Sequence, residues 1–286
     1  MYEKRKEFFN KTFVNADKKT MGLIGGPRMG GGQPATPAEF KVADTQTSFA
    51  VGLAMDIFNA ENKPAMIQNL AETVKRQNKD DGGVLRPTYS LMTGFIGTAW
   101  ISKALSDNGL SELAYKILQG NQYPSWLYSI EQGSTSIWER LNGYTVEDGF
   151  GGNNGMNSFN HYSFGAVGQW MMAYSLGIQR DEPGFKKFIL QPEPDPTKQM
   201  TSAKGYYNSS YGRIESEWKL EGKKLSYKAT VPANTTATLY LPASSEKTIT
   251  EGGKMVKGVK GIKFLNYQNG KAVFELQSGA YQFIAE

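Results

Sequence analysis

Two short stretches hold the residues best suited to chemistry. Gly133-Ser-Thr-Ser-Ile-Trp138-Glu139-Arg140 sets a carboxylate beside an indole, and Asn157-Ser-Phe-Asn160-His161-Tyr-Ser-Phe-Gly165 then brings the only histidine of the sequence. A carboxylate among aromatics and hydroxyls suits a general base. Glu139 and Arg140 also read as an ordinary surface ion pair at a loop end. An imidazole flanked by Asn160 can hydrogen-bond a sugar hydroxyl or orient a carboxylate. It can equally be a buried histidine satisfied by backbone. Rings such as Trp138, Tyr123 and Trp126 can stack on sugar faces or fill a core. Glu147 and Asp148 lie among Gly and Asn and read as solvated loop acids. The combination points to a carbohydrate site.

The elements that must position these residues change character along the chain. Up to Gly177 the apolar residues recur at helical spacing: Phe49, Leu53 and Ile57; Ile67, Leu70, Ala71 and Val74; Ile96, Trp100, Ile101 and Leu105; Leu113, Ala114, Ile117 and Leu118; Phe164, Val167, Met171 and Tyr174. Glu3 to Val14 supplies a sixth helix. Pro64 sits near a helix start and Asn108-Gly109 at a stop, so neighbouring helices form antiparallel hairpins. Met21 to Ala43, Asp80 to Thr88 and Gly120 to Met156 are expected to be long loops, and loops of that length are usually functional. After Asp181-Glu-Pro-Gly184 the period becomes two. Strands are expected at 187–190, 212–218, 224–231, 237–241, 261–265, 272–276 and 280–284, with turns at Glu221-Gly222, Asn269-Gly270 and Ser278-Gly279. Gln191-Pro-Glu-Pro-Asp-Pro196 reads as a stiff extended segment. The expectation is a helical domain over 1–183 and an antiparallel β-sandwich over 184–286.

Composition narrows the function classes. The 286 residues carry a net charge of +5. Residues 1–183 hold 17 Lys plus Arg against 18 Asp plus Glu, and residues 184–286 hold 15 against 9. The excess is scattered singly over strand-like runs away from Glu139, which does not describe a nucleic-acid surface. No apolar run reaches membrane-span length, and the charged start Met1-Tyr-Glu-Lys-Arg-Lys6 has no following apolar region, so neither a membrane nor a secretion signal is expected. The compartment stays open between cytoplasm and periplasm. Absence of cysteine removes disulfides and thiol chemistry, and a lone histidine argues against a metal site; no cofactor is expected. Gly25 to Gly32 lacks the Gly-Lys-Ser/Thr signature of a phosphate loop and reads as a flexible loop.

Five motifs in order resemble the C-terminal part of bacterial α-L-rhamnosidases: Thr93-Gly-Phe-Ile-Gly-Thr98, Tyr123-Pro-Ser-Trp126, Gly133 to Arg140, Met156 to Gly168, and Val231-Pro-Ala-Asn-Thr-Thr-Ala237. The resemblance runs from about Asp44 to the end. It implies part of an (α/α)6 toroid followed by a β-sandwich, and an inverting mechanism with Glu139 as general base and Trp138, Asn160 and His161 at the sugar. The family's general acid lies in a motif upstream of anything matched here, and six helices are half of such a ring. The resemblance therefore implies a fragment with little activity alone, acting on a rhamnose-containing glycoside or polysaccharide, and prone to self-association or to docking on the missing half. The rivals are a non-catalytic carbohydrate-binding module and a related toroid glycosidase acting on another sugar.

Overall fold

The computed structural model describes residues 1–26, 36–151 and 155–285. The chain divides into two compact units, Met1–Val167 and Gly168–Glu286. Within the described residues there are seven α-helices, followed by a part rich in β-sheet.

The first unit contains α1 (Tyr2–Phe13), β1 (Met21–Gly26), β2 (Thr36–Val42), α2 (Gln46–Ala54) and α3 (Lys63–Lys75). Then follow β3 (Asn78–Lys79), β4 (Leu85–Arg86), α4 (Gly94–Asp107), α5 (Ser111–Leu118) and α6 (Trp126–Glu131). Helix α2 starts at a reciprocal cap in which Thr45 accepts from the Ser48 N–H and the Ser48 hydroxyl from the Thr45 N–H. Pro64 sits in the first turn of α3, where a missing N–H costs nothing. Helices α2 and α4 approach closely at Gly97: a Cβ there would lie 2.4 Å from the Thr47 hydroxyl oxygen. Apolar stripes turn inward, burying Phe49, Leu53, Met66, Leu70, Val74, Ile101, Leu105, Leu113 and Ile117.

The expected long loops are more ordered than their composition suggests. Met21 to Ala43 is a hairpin over its described part, pairing Met21 with Val42 and Leu23 with Phe40. Phe40 earns its place in β2 by meeting Phe13 of α1 edge-on at 5.5 Å. Of the Gly-rich tract, Gly25 and Gly26 end β1, and residues 27–32 lie outside the described residues. Asp80 to Thr88 folds back as the short hairpin β3–β4, because Asp80 Oδ1 accepts the Gly82 and Val84 N–H groups at 3.0 and 2.9 Å across the turn. Gly120 to Met156 contains α6, whose Ser125 hydroxyl caps the Tyr128 N–H and whose Trp126 is buried. Six residues are too few to show a helical period.

The stripe from Phe164 to Tyr174 is one irregular helix: a 3-10 turn at Ser163–Ala166, α7 at Val167–Trp170, and a π-helical turn at Met171–Ser175. In the second unit, the carbonyls leaving that π turn are taken by side chains of the sheet. Trp218 Nε1 donates to Ser175 O at 2.7 Å, and Ser216 Oγ to Leu176 O at 2.6 Å.

Eleven strands complete the second unit: β5 (Ile178–Arg180), β6 (Lys187–Leu190), β7 (Ser202–Ser209), β8 (Gly212–Glu221), β9 (Lys224–Val231), β10 (Thr236–Pro242), β11 (Thr250–Glu251), β12 (Lys254–Met255), β13 (Ile262–Gln268), β14 (Lys271–Leu276) and β15 (Gly279–Ala285). One sheet has the order β13-β14-β10-β6-β5, the other β12-β11-β15-β9-β8-β7. Pairing is antiparallel except between β6 and β10. Alternate residues of both sheets face one core, with Phe188, Leu239 and Phe274 from the first sheet and Ile214, Trp218, Tyr227 and Phe283 from the second.

Candidate active site

Glu139 is placed by backbone pairing between two segments that belong to no named strand. Its N–H donates to Ser158 O at 2.9 Å, and the His161 N–H donates to Ile137 O at 2.8 Å, so residues 137–139 and 158–161 run antiparallel. The Ser136 hydroxyl adds a bond to Phe159 O. The pairing also fixes the carboxylate, since the Ser158 N–H donates to Glu139 Oε2 at 2.9 Å. Arg140 reaches the same turn, donating from Nη2 to Asn157 Oδ1 at 3.3 Å. Gly143 makes room for that contact: a Cβ there would stand 2.7 Å from Asn157 Oδ1.

Glu139 and Arg140 line a cleft of about 650 Å³ within the first unit, a size suited to a small ligand. The other walls come from the start of α2, the end of α3, the β3–β4 hairpin and the first turn of α4, through Asp44, Gln46, Arg76, Asp80 and Phe95, with Tyr123 added from the segment before α6. His161 does not line the cleft but stacks on Phe95, ring centroids 4.8 Å apart and 20° from parallel, with Tyr162 stacked at 5.5 Å. Its Nδ1 accepts the Ser163 N–H at 3.4 Å, which leaves Nε2 as the nitrogen for other partners. Asn160 is exposed, its N–H on Ser158 Oγ at 3.3 Å. Trp138 is 7% exposed and meets Phe159 edge-on at 5.1 Å, so it offers little ring to a sugar and mainly braces the paired segments. Glu147 and Asp148 are exposed and outside the cleft.

Several cleft residues carry no local motif in the sequence. Gln46 is buried, donates to Thr73 O and Ser90 O at 3.2 and 3.0 Å, and accepts the Met92 N–H at 2.9 Å, so one amide sets the cleft wall. Asp44 bonds Arg76 at 2.9 Å and Lys19 at 3.1 Å. Burial alone would raise the Asp44 carboxyl, but these two cations outweigh it and hold it below the usual carboxylate range. Asp80 is also held low, by the Val84 N–H and by Arg86. The Arg86 guanidinium lies 4.6 Å from the centre of the Tyr123 ring. Burial raises the Tyr123 phenol, which Arg86 partly offsets. The Asp80-Asp-Gly-Gly83 turn residues are the local sequence signal for this hairpin, in a stretch whose composition reads as a long loop.

Because the folded-state pKa of Asp44 is depressed, its contribution to stability is present above the unfolded value near 4 and lost as pH falls through the lower folded one. Asp44→Asn is therefore expected to be less stable than wild type at pH 7, with the gap shrinking below about pH 4. Thermal melts of both proteins from pH 7 to pH 3 measure this. A gap that stays constant across that range would contradict the assignment.

The family model of the bacterial alpha-L-rhamnosidase 6 hairpin glycosidase domain matches residues 1–175. The chain belongs to the bacterial α-L-rhamnosidase family. The model of the family's C-terminal domain matches residues 177–256. A curated alpha-L-rhamnosidase of Formosa agariphila is 36% identical over 86% of this chain and 25% of its own length. One from Streptomyces avermitilis is 31% identical over 84% of this chain and 21% of its own. The chain thus spans about a quarter of the length of these rhamnosidases. Among solved structures, Streptomyces avermitilis alpha-L-rhamnosidase complexed with L-rhamnose superposes with a TM-score of 0.77 at 28% identity, covering 98% of this chain and 23% of that one. The alpha-L-rhamnosidase from Dictyoglumus thermophilum gives 0.76 at 27% identity, over 98% of this chain and 27% of its own. The expectation of helical-toroid and β-sandwich parts of a rhamnosidase is borne out.

Among the described residues no group of three or more His, Asp or Glu could hold a metal ion. No described helix is long and apolar enough to cross a membrane.

Proposed function

We propose that this chain contributes the general-base side of an inverting α-L-rhamnosidase site. Glu139 takes a proton from a water, and that water attacks the anomeric carbon of a terminal α-L-rhamnosyl unit. His161, stacked on the cleft residue Phe95, and the exposed Asn160 hydrogen-bond the part of the sugar that projects beyond the cleft, while Trp138 steadies the segment carrying the base. The substrate is a rhamnose-containing glycoside or polysaccharide. One observation carries the proposal: Glu139 lies on the wall of the cleft with one carboxylate oxygen engaged by the Ser158 N–H, leaving Oε1 as the atom to meet water.

An inverting site also needs a protonated carboxyl roughly 6.5–9.5 Å from the base. Asp44 and Asp80 share the cleft, but both are held below the ordinary carboxylate range, the reverse of what a general acid requires. Asp81 also lines the cleft, from the exposed tip of the hairpin, where water surrounds its side chain. The acid is therefore proposed to come from outside these residues, which accords with a chain spanning a quarter of its relatives' length.

A leaving group that departs without a proton separates base from acid. Dinitrophenyl α-L-rhamnoside is expected to release rhamnose slowly with this chain alone, whereas methyl α-L-rhamnoside is left intact. Equal hydrolysis of both would place an acid within the chain and overturn the division. Binding of rhamnose by calorimetry with release from neither substrate would favour a carbohydrate-binding module, and release only from another glycoside would favour a different sugar.

The domain's six hairpins amount to twice as many helices, and the first unit keeps apolar residues in water, with Phe8 63%, Ile96 73%, Val146 74% and Tyr162 87% exposed. Such surface favours self-association or docking onto the remaining hairpins. Sedimentation velocity is expected to show dimers or larger species at micromolar concentration. A monodisperse monomer would count against it.

A further inference from the structure

The second unit contains a cavity that plays no part in the reading above. It measures about 480 Å³ and is walled by Met255, Val256, Ile262, Phe264 and Phe274. Phe274 is fully buried and Val256 is 6% exposed, so the cavity reaches from the surface to the core of the sandwich. It opens between β12 and β13, the terminal strands of the two sheets.

Three features favour a ligand here. The first is chemical: the lining is apolar apart from Lys247 and Lys257, the pattern of a pocket with a few fixed polar groups. The second is electrostatic. From Lys247 to Lys263 the sequence carries Lys247, Lys254, Lys257, Lys260 and Lys263 against Glu251 alone. Lys254 and Lys263 stand opposite Glu251 and Glu275 in their strand pairs, whereas Lys247 and Lys257, which line the cavity, enter none of the ion pairs among the described residues. The third is backbone geometry. The β13–β14 register shifts between Phe264 and Asn266, an irregularity of the kind that re-aims a side chain beside a site. Phe264, just before the shift, is 44% exposed and meets Phe274 edge-on at 5.6 Å, which puts its ring at the mouth like a door.

The positive rim selects among occupants. A second copy would set lysines against lysines, and a neutral apolar ligand would leave the ammonium groups unused. We propose that this cavity binds an anionic amphiphile: a carboxylate or phosphate head on Lys247 and Lys257, and an unbranched apolar tail along Met255, Ile262 and the paired rings of Phe264 and Phe274. Binding adds apolar burial to two charge-assisted contacts. It is independent of the chemistry proposed for Glu139.

The test is calorimetric titration of the full chain with decanoate below its micellar concentration, alongside decanol and anionic phosphatidylglycerol vesicles. Expected is saturable, one-to-one binding of decanoate that is weakened about tenfold or more by Lys247→Glu with Lys257→Glu, a loss in line with charged hydrogen bonds. Phe264→Ser, at a half-exposed position, should also weaken it, and circular dichroism confirms that both variants remain folded. Decanol should bind more weakly than decanoate and be insensitive to the lysine changes. No binding of decanoate, binding unchanged in the folded variants, or partition onto vesicles without binding of free decanoate would each overturn the proposal. The last outcome would assign the patch to a lipid surface instead.

Discussion

Glu139→Gln should slow release of rhamnose from dinitrophenyl α-L-rhamnoside by about 10²–10⁴-fold, the usual contribution of a positioned general base. Glutamine keeps an oxygen for the Ser158 N–H, which the Glu139 carboxylate now engages at 2.9 Å, so the paired segments stay in place. What is lost is the capacity to accept a proton from water. A general base acts on the nucleophile, so the deficit should persist when the leaving group needs no proton. The measurement is initial rate at saturating substrate, with thermal melting as a control for folding. A variant that is stable but retains wild-type turnover would remove Glu139 from the mechanism.

The largest effect on stability is expected at Trp218. Its ring is fully buried between the sheets, and its Nε1 holds Ser175 O at the end of the π turn. Trp218→Ala should cost about 3–5 kcal/mol through lost burial and the cavity left behind. The stranded carbonyl adds about 1–3 kcal/mol where water cannot reach it. Urea denaturation followed by circular dichroism gives the difference. Trp218→Phe, which keeps most of the volume but not the donor, should recover the larger share. Equal losses for both variants would make the hydrogen bond, not packing, the main term.

The parts of this fold that the sequence declares are those where a single face is buried. β9 is legible residue for residue over Lys224–Val231 because Leu225, Tyr227, Ala229 and Val231 alternate toward the core. Asn269 and Gly270 announce the β13–β14 turn because both adopt positive φ, 52° and 73°. By contrast β7 is an edge strand with mostly exposed residues, Ser-Ala-Lys-Gly-Tyr-Tyr-Asn-Ser, and leaves no pattern to read. The β1–β2 hairpin is hidden among glycines and prolines, and α6 is too short for a period.

The site divides in the same way. Glu139 and His161 stand out by residue type, but their placement depends on backbone bonds between segments about twenty residues apart, which no side-chain pattern encodes. Asp44 and Gln46 at the start of α2, Asp80 in the β3–β4 hairpin and Phe95 in α4 reach the cleft from three elements, and nothing local marks those elements as neighbours. Phe95 lay within a recognised motif, yet its role as the platform for His161 follows only from the 4.8 Å stacking.

Stereochemistry tests the central proposal most directly. Proton NMR of the first rhamnose released from dinitrophenyl α-L-rhamnoside, recorded before mutarotation, reports from which face water attacked. With Glu139 activating that water opposite the departing group, β-L-rhamnose appears first. α-L-Rhamnose as the first product, or release unaffected by Glu139→Gln, would contradict it.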